Sequence, residues 1–245
     1  MTDAPATWSA LRGLTAARIG LPRSGASIGT APLLAFRHAH AMARDAVHAP
    51  LDEAALLAAL PVRTLVVSSQ APDRRTYLMR PDLGRRLDPG AAGVLAPHAG
   101  AFDLAIVLGD GLSALAVQRH APPLLAALLP ELRGWALAPT VLVHGARVAA
   151  GDAVALLLGA AAVLVLLGER PGLSAPDSLG AYFTWSPHRG TTDAERNCVS
   201  NIRPDGLPYP PAAQRLGHLL RRMRATRSSG VGLKDETDGQ ALLDD

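Results

Sequence analysis

The chain has 245 residues, 49% of them hydrophobic and only 4% aromatic, with a formal net charge of +3. Alanine, leucine and valine must fill the core, which favours helices packed closely on a sheet and argues against an all-β sandwich. The positive charge is almost all arginine, scattered except for RRMRATR at 221–227, a spacing that fits a solvated helix face, so no nucleic-acid partner is expected.

Residues 1–60 read as an N-terminal helical arm. The opening MTDAPATWSALRGLTAARIGL lacks the continuous apolar stretch of a secretory signal. Trp8, Leu11, Leu14 and Ile19 instead line one side of an amphipathic helix, read as a packing arm, with a targeting or partner-docking helix as the sharper alternative. GLPRSGASIGTAP (20–32) is a loop. FRHAHAMARDAVHAPLDEAALLAAL is helical on both sides of Pro50 and restarts at Asp52, a plausible N-cap.

From about residue 61 strands alternate with helices. VRTLVVSS (62–69), TYLM (76–79), FDLAIVLGDG (102–111), PTVLVHG (139–145), AAVLVLLGE (161–169) and GAYFTW (180–185) are strand candidates. LSALAVQRHAPPLLAALLPEL, GDAVALLLG and PAAQRLGHLLRRMRA are the helices between and after them. Several strands are apolar throughout, as strands covered on both faces are. The pattern predicts an α/β fold with a mostly parallel sheet flanked by helices over 61–233, followed by a flexible polar tail at 234–245. The uncharged run from Ala153 to Gly168 is short for a membrane span of about 20 residues, and Gly159 divides it into a buried helix and a buried strand. No membrane partner is expected.

Ligands of open α/β sheets bind beyond the carboxyl ends of the strands. That rule selects two turns, GDGLSA (109–114) and GERPGL (168–173). The first has glycines that would let a ligand approach helix amides, but Ala114 breaks the GxGxxG pattern and no Walker lysine exists. A tight strand-to-helix turn stands beside it as an equal reading. Ser113 lacks the second glycine of a nucleophile elbow, and no histidine is tied to it. Neither CxxC nor HExxH occurs, and the imidazoles of HAH (38–40) fall on different sides of a helix, so no catalytic residue and no metal site is assigned. Cys198 is the only cysteine, which rules out an intrachain disulfide and suits a reducing compartment. It reads as a small packed group rather than a nucleophile. Glu169 follows eight apolar or glycine residues at a strand end, where a carboxylate can accept hydrogen bonds from ligand amides or hydroxyls. A turn ion pair with Arg170 is the plainer alternative. Residue chemistry by itself reaches an α/β small-molecule binding domain.

Several segments, in order and at matching spacing, resemble the small subunit (light chain) of adenosylcobalamin-dependent ethanolamine ammonia-lyase. They are RSGAS, FRHAHAMARDAV, PDLGRRL, DGLSALAV, RVAAGD, GERPGLSAPDSLGAYFTWSP, TDAERNCVSNIRPDGLPYPPAA and SSGVGLKD, spanning about 20 to 235. The segments from 168 to 213 are the specific ones. The resemblance implies a Rossmann-like cobalamin-binding domain, with the arm before it, closing over the cofactor at an interface with a large, barrel-shaped subunit. It implies a hetero-oligomeric lyase, in the cytoplasm or inside a bacterial microcompartment, that degrades ethanolamine to acetaldehyde and ammonia. In that family cobalt–carbon homolysis yields a 5′-deoxyadenosyl radical, which abstracts hydrogen from the carbon bearing the hydroxyl; the substrate radical rearranges and ammonia leaves.

By motif, the resemblance carries three cofactor contacts over. Val148 in RVAAGD would offer backbone and apolar surface, Glu169 in GERPGL would accept hydrogen bonds, and Cys198 in ERNCVSN would line the cofactor's lower side. None of the eight histidines has aspartate two residues before it, as the DxHxxG motif of base-off cobalamin domains requires. The cofactor is therefore expected base-on. The N-terminus is shorter than in longer members, and no shell-targeting extension is expected. The alternative is a standalone α/β binding module without lyase activity.

Overall fold

A computed structural model describes residues 6–15 and 17–235. The N-terminal region holds the helix α1 (Ala6–Arg12), a small ribbon of β1 (Arg23–Ser24) and β2 (Ser27–Ile28) within the predicted loop, and the helices α2 (Thr30–His48) and α3 (Glu53–Ala59). Asp52 caps α3 as predicted, its carboxylate accepting from the Ala55 N–H at 3.0 Å. Leu56 and Leu60 of this segment are buried in the main core, whereas most of α2 is exposed. Of the flexible tail predicted at 234–245, only Lys234 and Asp235 fall among the described residues; 236–245 lie outside them, as does 1–5 of the predicted N-terminal helix.

The remaining elements are β3 (Thr64–Ser68), α4 (Arg74–Met79), α5 (Pro81–Gly84), α6 (Ala91–Leu95), β4 (Phe102–Gly109), α7 (Ala114–Leu128), β5 (Thr140–His144), α8 (Ala150–Leu158), β6 (Ala160–Gly168), β7 (Leu179–Trp185), β8 (Asn197–Ile202) and α9 (Tyr209–Thr226). They build one six-stranded sheet in the order β3-β5-β4-β6-β7-β8. The first four strands are parallel, and β7 and β8 add antiparallel. The sheet is thus mostly parallel and flanked by helices, as expected.

Each apolar strand serves two cores. Leu164 and Leu166 of β6 face a core shared with α7 and α9, which also takes Phe183, Val199, Leu216 and Leu220. Val163, Val165 and Leu167 face the other side, against Val154 and Leu158 of α8 and Leu95 of α6. This two-sided burial explains why β4 and β6 carry no alternation. Gly159 ends α8 in the left-handed region at φ +74°, its N–H bonding back to Ala155 and Leu156, which is the division between helix and strand that the sequence marks.

Two local expectations change. TYLM is helix, not strand: Asp73 caps α4, its carboxylate accepting from the Thr76 N–H at 2.8 Å and the Thr76 hydroxyl at 3.0 Å. A side chain that satisfies the first-turn amides outweighs the β preference of a short Thr-Tyr run. NCVSNI, to which the sequence pattern assigns no element, is the edge strand β8, with Val199 and Ile202 buried and Cys198 and Ser200 exposed. The arginines of 221–227 lie on the outer side of α9: Arg221 pairs with Glu131, Arg224 pairs with Asp103, and Met223 turns into the core. No helix among the described residues is long and apolar enough to cross a membrane.

Candidate functional site

The carboxyl ends of β4, β5 and β6 lie side by side, and the two glycine turns marked in the sequence meet there. Leu112 N–H donates to the Gly168 carbonyl at 2.9 Å, which ties the GDGL turn to the end of β6. The GDGL turn is closed by its own packing. Arg74 donates to the carbonyls of Gly111 at 2.6 Å and Leu112 at 2.9 Å, and the Ala146 N–H donates to the Asp110 carboxylate at 3.1 Å. Burial pushes the Asp110 carboxyl above its ordinary range against the pull of those amides and of Arg74. Burial likewise pushes the neighbouring Tyr77 phenol up to about 12. Ser113 is the N-cap of α7, its hydroxyl accepting from the Ala116 N–H, so its chemistry is spent on the fold.

The GERPGL end is different. The ten residues 169–178 between β6 and β7 contain no helix, so the chain turns straight back and β7 runs antiparallel to β6. Side chains on one face of this corner come from distant parts of the sequence. Tyr182 of β7 pairs with Val165 on one side and with Cys198 of β8 on the other. Val148, in the turn before α8, packs on the same apolar cluster as Tyr182. Glu169, next after β6, bonds to the backbone of β8: Asn201 N–H donates to its Oε2 at 3.1 Å. That bond crosses the sheet, whereas no Glu169–Arg170 ion pair occurs among the described residues. Val148, Glu169 and Cys198 therefore share one side of the sheet. On that side Cys198, Ser200 and Asn201 are exposed, while α9 and α7 pack on β7 and β8 from the other.

Cys198 differs from the small packed group that the sequence suggests. It is exposed on the edge strand, paired with Tyr182 of β7, with its Sγ 3.1 Å from the Ser200 hydroxyl. Desolvation of the sulfur against the sheet, and then the Glu169 carboxylate, push the thiol above its usual range. Desolvation, Cys198 and Glu169 also raise the Tyr182 phenol. Raised in this way, both groups keep their protons near pH 7. The thiol should accordingly react with a neutral disulfide reagent at pH 8 more slowly than free cysteine, because less of it is thiolate. Absorbance of the released chromophore checks this, and a rate equal to or above that of free cysteine would contradict it.

Beneath the site runs one buried ion pair. Arg196, just before β8, donates to Asp152 of α8 through both terminal nitrogens, at 2.7 and 2.6 Å. The same guanidinium reaches the Thr184 hydroxyl at 3.2 Å and the Thr191 carbonyl at 3.1 Å. The side chains are 4% and 6% exposed, so the pair is desolvated and joins the RVAAGD segment to the ERNCVSN segment.

A family profile described as ethanolamine ammonia-lyase light chain (EutC) matches residues 5–234. The chain belongs to the ethanolamine ammonia-lyase light-chain family. It is 57% identical to the ethanolamine ammonia-lyase small subunit of Azotobacter vinelandii, over 97% of this chain and 93% of that one. It is 53% identical to that of Ralstonia nicotianae, over 96% and 93%. It is 54% identical to that of Xanthomonas campestris pv. campestris, over 96% and 90%.

Within this chain, the side chains that the sequence pattern does not single out are Tyr182, Asp152, Arg196 and Asn201. All four lie in motifs that carry the resemblance. Alternation along GAYFTW could have put Tyr182 on the same face as Thr184 and opposite Phe183. The Asp152–Arg196 pair spans 44 residues and leaves no local signal.

Proposed function

We propose that the chain acts as the small subunit of ethanolamine ammonia-lyase and holds part of adenosylcobalamin, base-on, between the exposed side of its edge strand β8 and a large subunit. The observation that carries this reading is the placement of Val148, Glu169 and Cys198 on one side of the sheet, where Cys198 and Ser200 of the edge strand β8 are exposed. The residues suit an amphipathic ring rimmed with amides. Val148 offers an apolar wall, and Ser200 a hydroxyl. Glu169 has one oxygen engaged by Asn201 and the other available to accept from an amide or hydroxyl. His120 and His144 are engaged elsewhere, by Tyr209 and Glu53, which fits a cofactor that keeps its own base. When bound, the cofactor supplies the radical chemistry that converts ethanolamine to acetaldehyde and ammonia; this chain orients it and excludes water from its edge. The proposed setting is the cytoplasm or a bacterial microcompartment, in a hetero-oligomer.

Reconstitution with a large subunit tests the reading. Glu169→Ala should weaken adenosylcobalamin binding by about 10-fold, the scale of one hydrogen bond to a charged group, while co-purification with the large subunit is kept. Absorbance titration measures the affinity. An unchanged affinity would remove Glu169 from the site, and ligand binding without any large subunit would favour the standalone module.

A further inference from the structure

We infer that Asn201 and Gly180 are positioning residues for Glu169: a bulge in β8 turns the Asn201 N–H onto one carboxylate oxygen, and Gly180 leaves the space in which the carboxylate lies. This rests on the reading of Glu169 as a cofactor-binding group.

The strand register shows the bulge. Leu179 pairs with Ile202 and Ala181 with Val199, so Gly180 by itself opposes both Ser200 and Asn201. Asn201 sits in the left-handed region at φ +59°, a conformation that asparagine tolerates and β-branched residues do not. The following turn, NIRPDGL, closes back on it. Leu207 N–H donates to the Asn201 carbonyl at 2.8 Å, and Arg203 Nε donates to its Oδ1 at 3.0 Å. Gly206 approaches so closely that a Cβ there would strike the Asn201 carbonyl. These contacts hold the unusual backbone, and its N–H reaches Glu169 Oε2 at 3.1 Å. On the facing strand, a Cβ on Gly180 would come within 2.9 Å of Glu169 Oε1 and 3.1 Å of its Cγ. The glutamate side chain therefore lies flat over Gly180. Backbone held in a sparsely populated region and aimed at a single carboxylate is the arrangement expected where geometry serves a ligand.

The test uses the complex reconstituted with a large subunit, with adenosylcobalamin affinity read by absorbance titration and folding by thermal melting. Glu169→Ala sets the reference loss. Asn201→Val should weaken binding by about as much, ~10-fold, because valine resists the left-handed backbone. Asn201→Gly should stay within about 3-fold of the parent, since glycine keeps both the N–H and the conformation. Gly180→Ala should weaken binding more than it lowers the melting temperature, because its clashes are with the Glu169 and Tyr182 side chains and not with main-chain atoms. The double variant of Glu169→Ala with Asn201→Val should bind no worse than Glu169→Ala by itself. If Glu169→Ala has no effect, the reading of Glu169 fails. If Glu169→Ala weakens binding while Asn201→Val and Gly180→Ala both bind like the parent, the positioning role fails. Should Asn201→Val not fold, Asn201→Ala and Gly180→Ala carry the same comparison.

Discussion

Asp152→Ala is expected to lower the melting temperature by about 6–20 °C. The substitution leaves the buried Arg196 guanidinium with only the exposed Asp193, 3.9 Å from its Nε, as a counter-charge, and breaking one side of a buried pair costs about 3–5 kcal/mol. In a chain of this size each kcal/mol moves the midpoint by roughly 2–4 °C. The pair's geometry puts it at the strong end, with two parallel bonds at 2.7 and 2.6 Å and further contacts to Thr184 and Thr191. Arg196→Ala should cost a similar amount by stranding the carboxylate. The combined change of Asp152→Leu and Arg196→Met should recover at least half of either loss, because two apolar side chains remove both desolvated charges together. Differential scanning calorimetry of the four proteins checks this. Losses that simply add would mean the two groups act independently. The pair also joins α8, which follows Val148, to β8, which carries Cys198, so Asp152→Ala should loosen the proposed cofactor groove as well as the fold.

Gly168→Ala is the second large effect expected. A Cβ at this position would overlap the Ser113 carbonyl and come within 2.7 Å of the Asp110 carbonyl, both of them main-chain atoms of the turn between β4 and α7. No rotamer change relieves such a contact. Either the end of β6 or the turn must move, and the turn is pinned by Arg74 and by the Leu112–Gly168 hydrogen bond. The cost should reach about 3 kcal/mol, the upper part of the usual range for overpacking, with a fall of roughly 6–12 °C in melting temperature. The shift also displaces the next residue, Glu169, so cofactor affinity in the reconstituted complex should drop as far as in Glu169→Ala. A variant that melts like the parent would show that the two glycine turns are not rigidly joined. Loss of stability with full affinity would show that Glu169 is placed independently of them.

Much of this corner is legible in the amino-acid pattern. The break from apolar run to Gly-Glu-Arg marks Glu169 at a strand end, and it lies directly after β6. Gly159 and Asp52 stand where the pattern puts them because caps act within one turn of their own residue. TYLM misleads because its residue types favour strand, while the deciding contact comes from Asp73, outside those four residues. β8 escapes the pattern because an edge strand buries only part of one face. Its Asn-Cys-Val-Ser-Asn-Ile order looks like a polar loop until Val199 and Ile202 meet α9 and β7. Val148 is reached only through resemblance; nothing in a lone valine before a helix points to a site.

The sequence by itself determined the alternating α/β architecture, the strands buried on both faces, and the ends of several helices. These follow from hydrophobic periodicity and capping, interactions that run over a few neighbouring residues. Strand order, the antiparallel return of β7, the bidentate Asp152–Arg196 pair and the bulge that aims Asn201 at Glu169 were decided only in the tertiary structure. Each joins groups tens of residues apart, whose meeting depends on sheet register and on which burial alternatives close with all polar groups satisfied. Local pattern carries no information about that choice, and so the residues of the site were legible one by one while their arrangement was not.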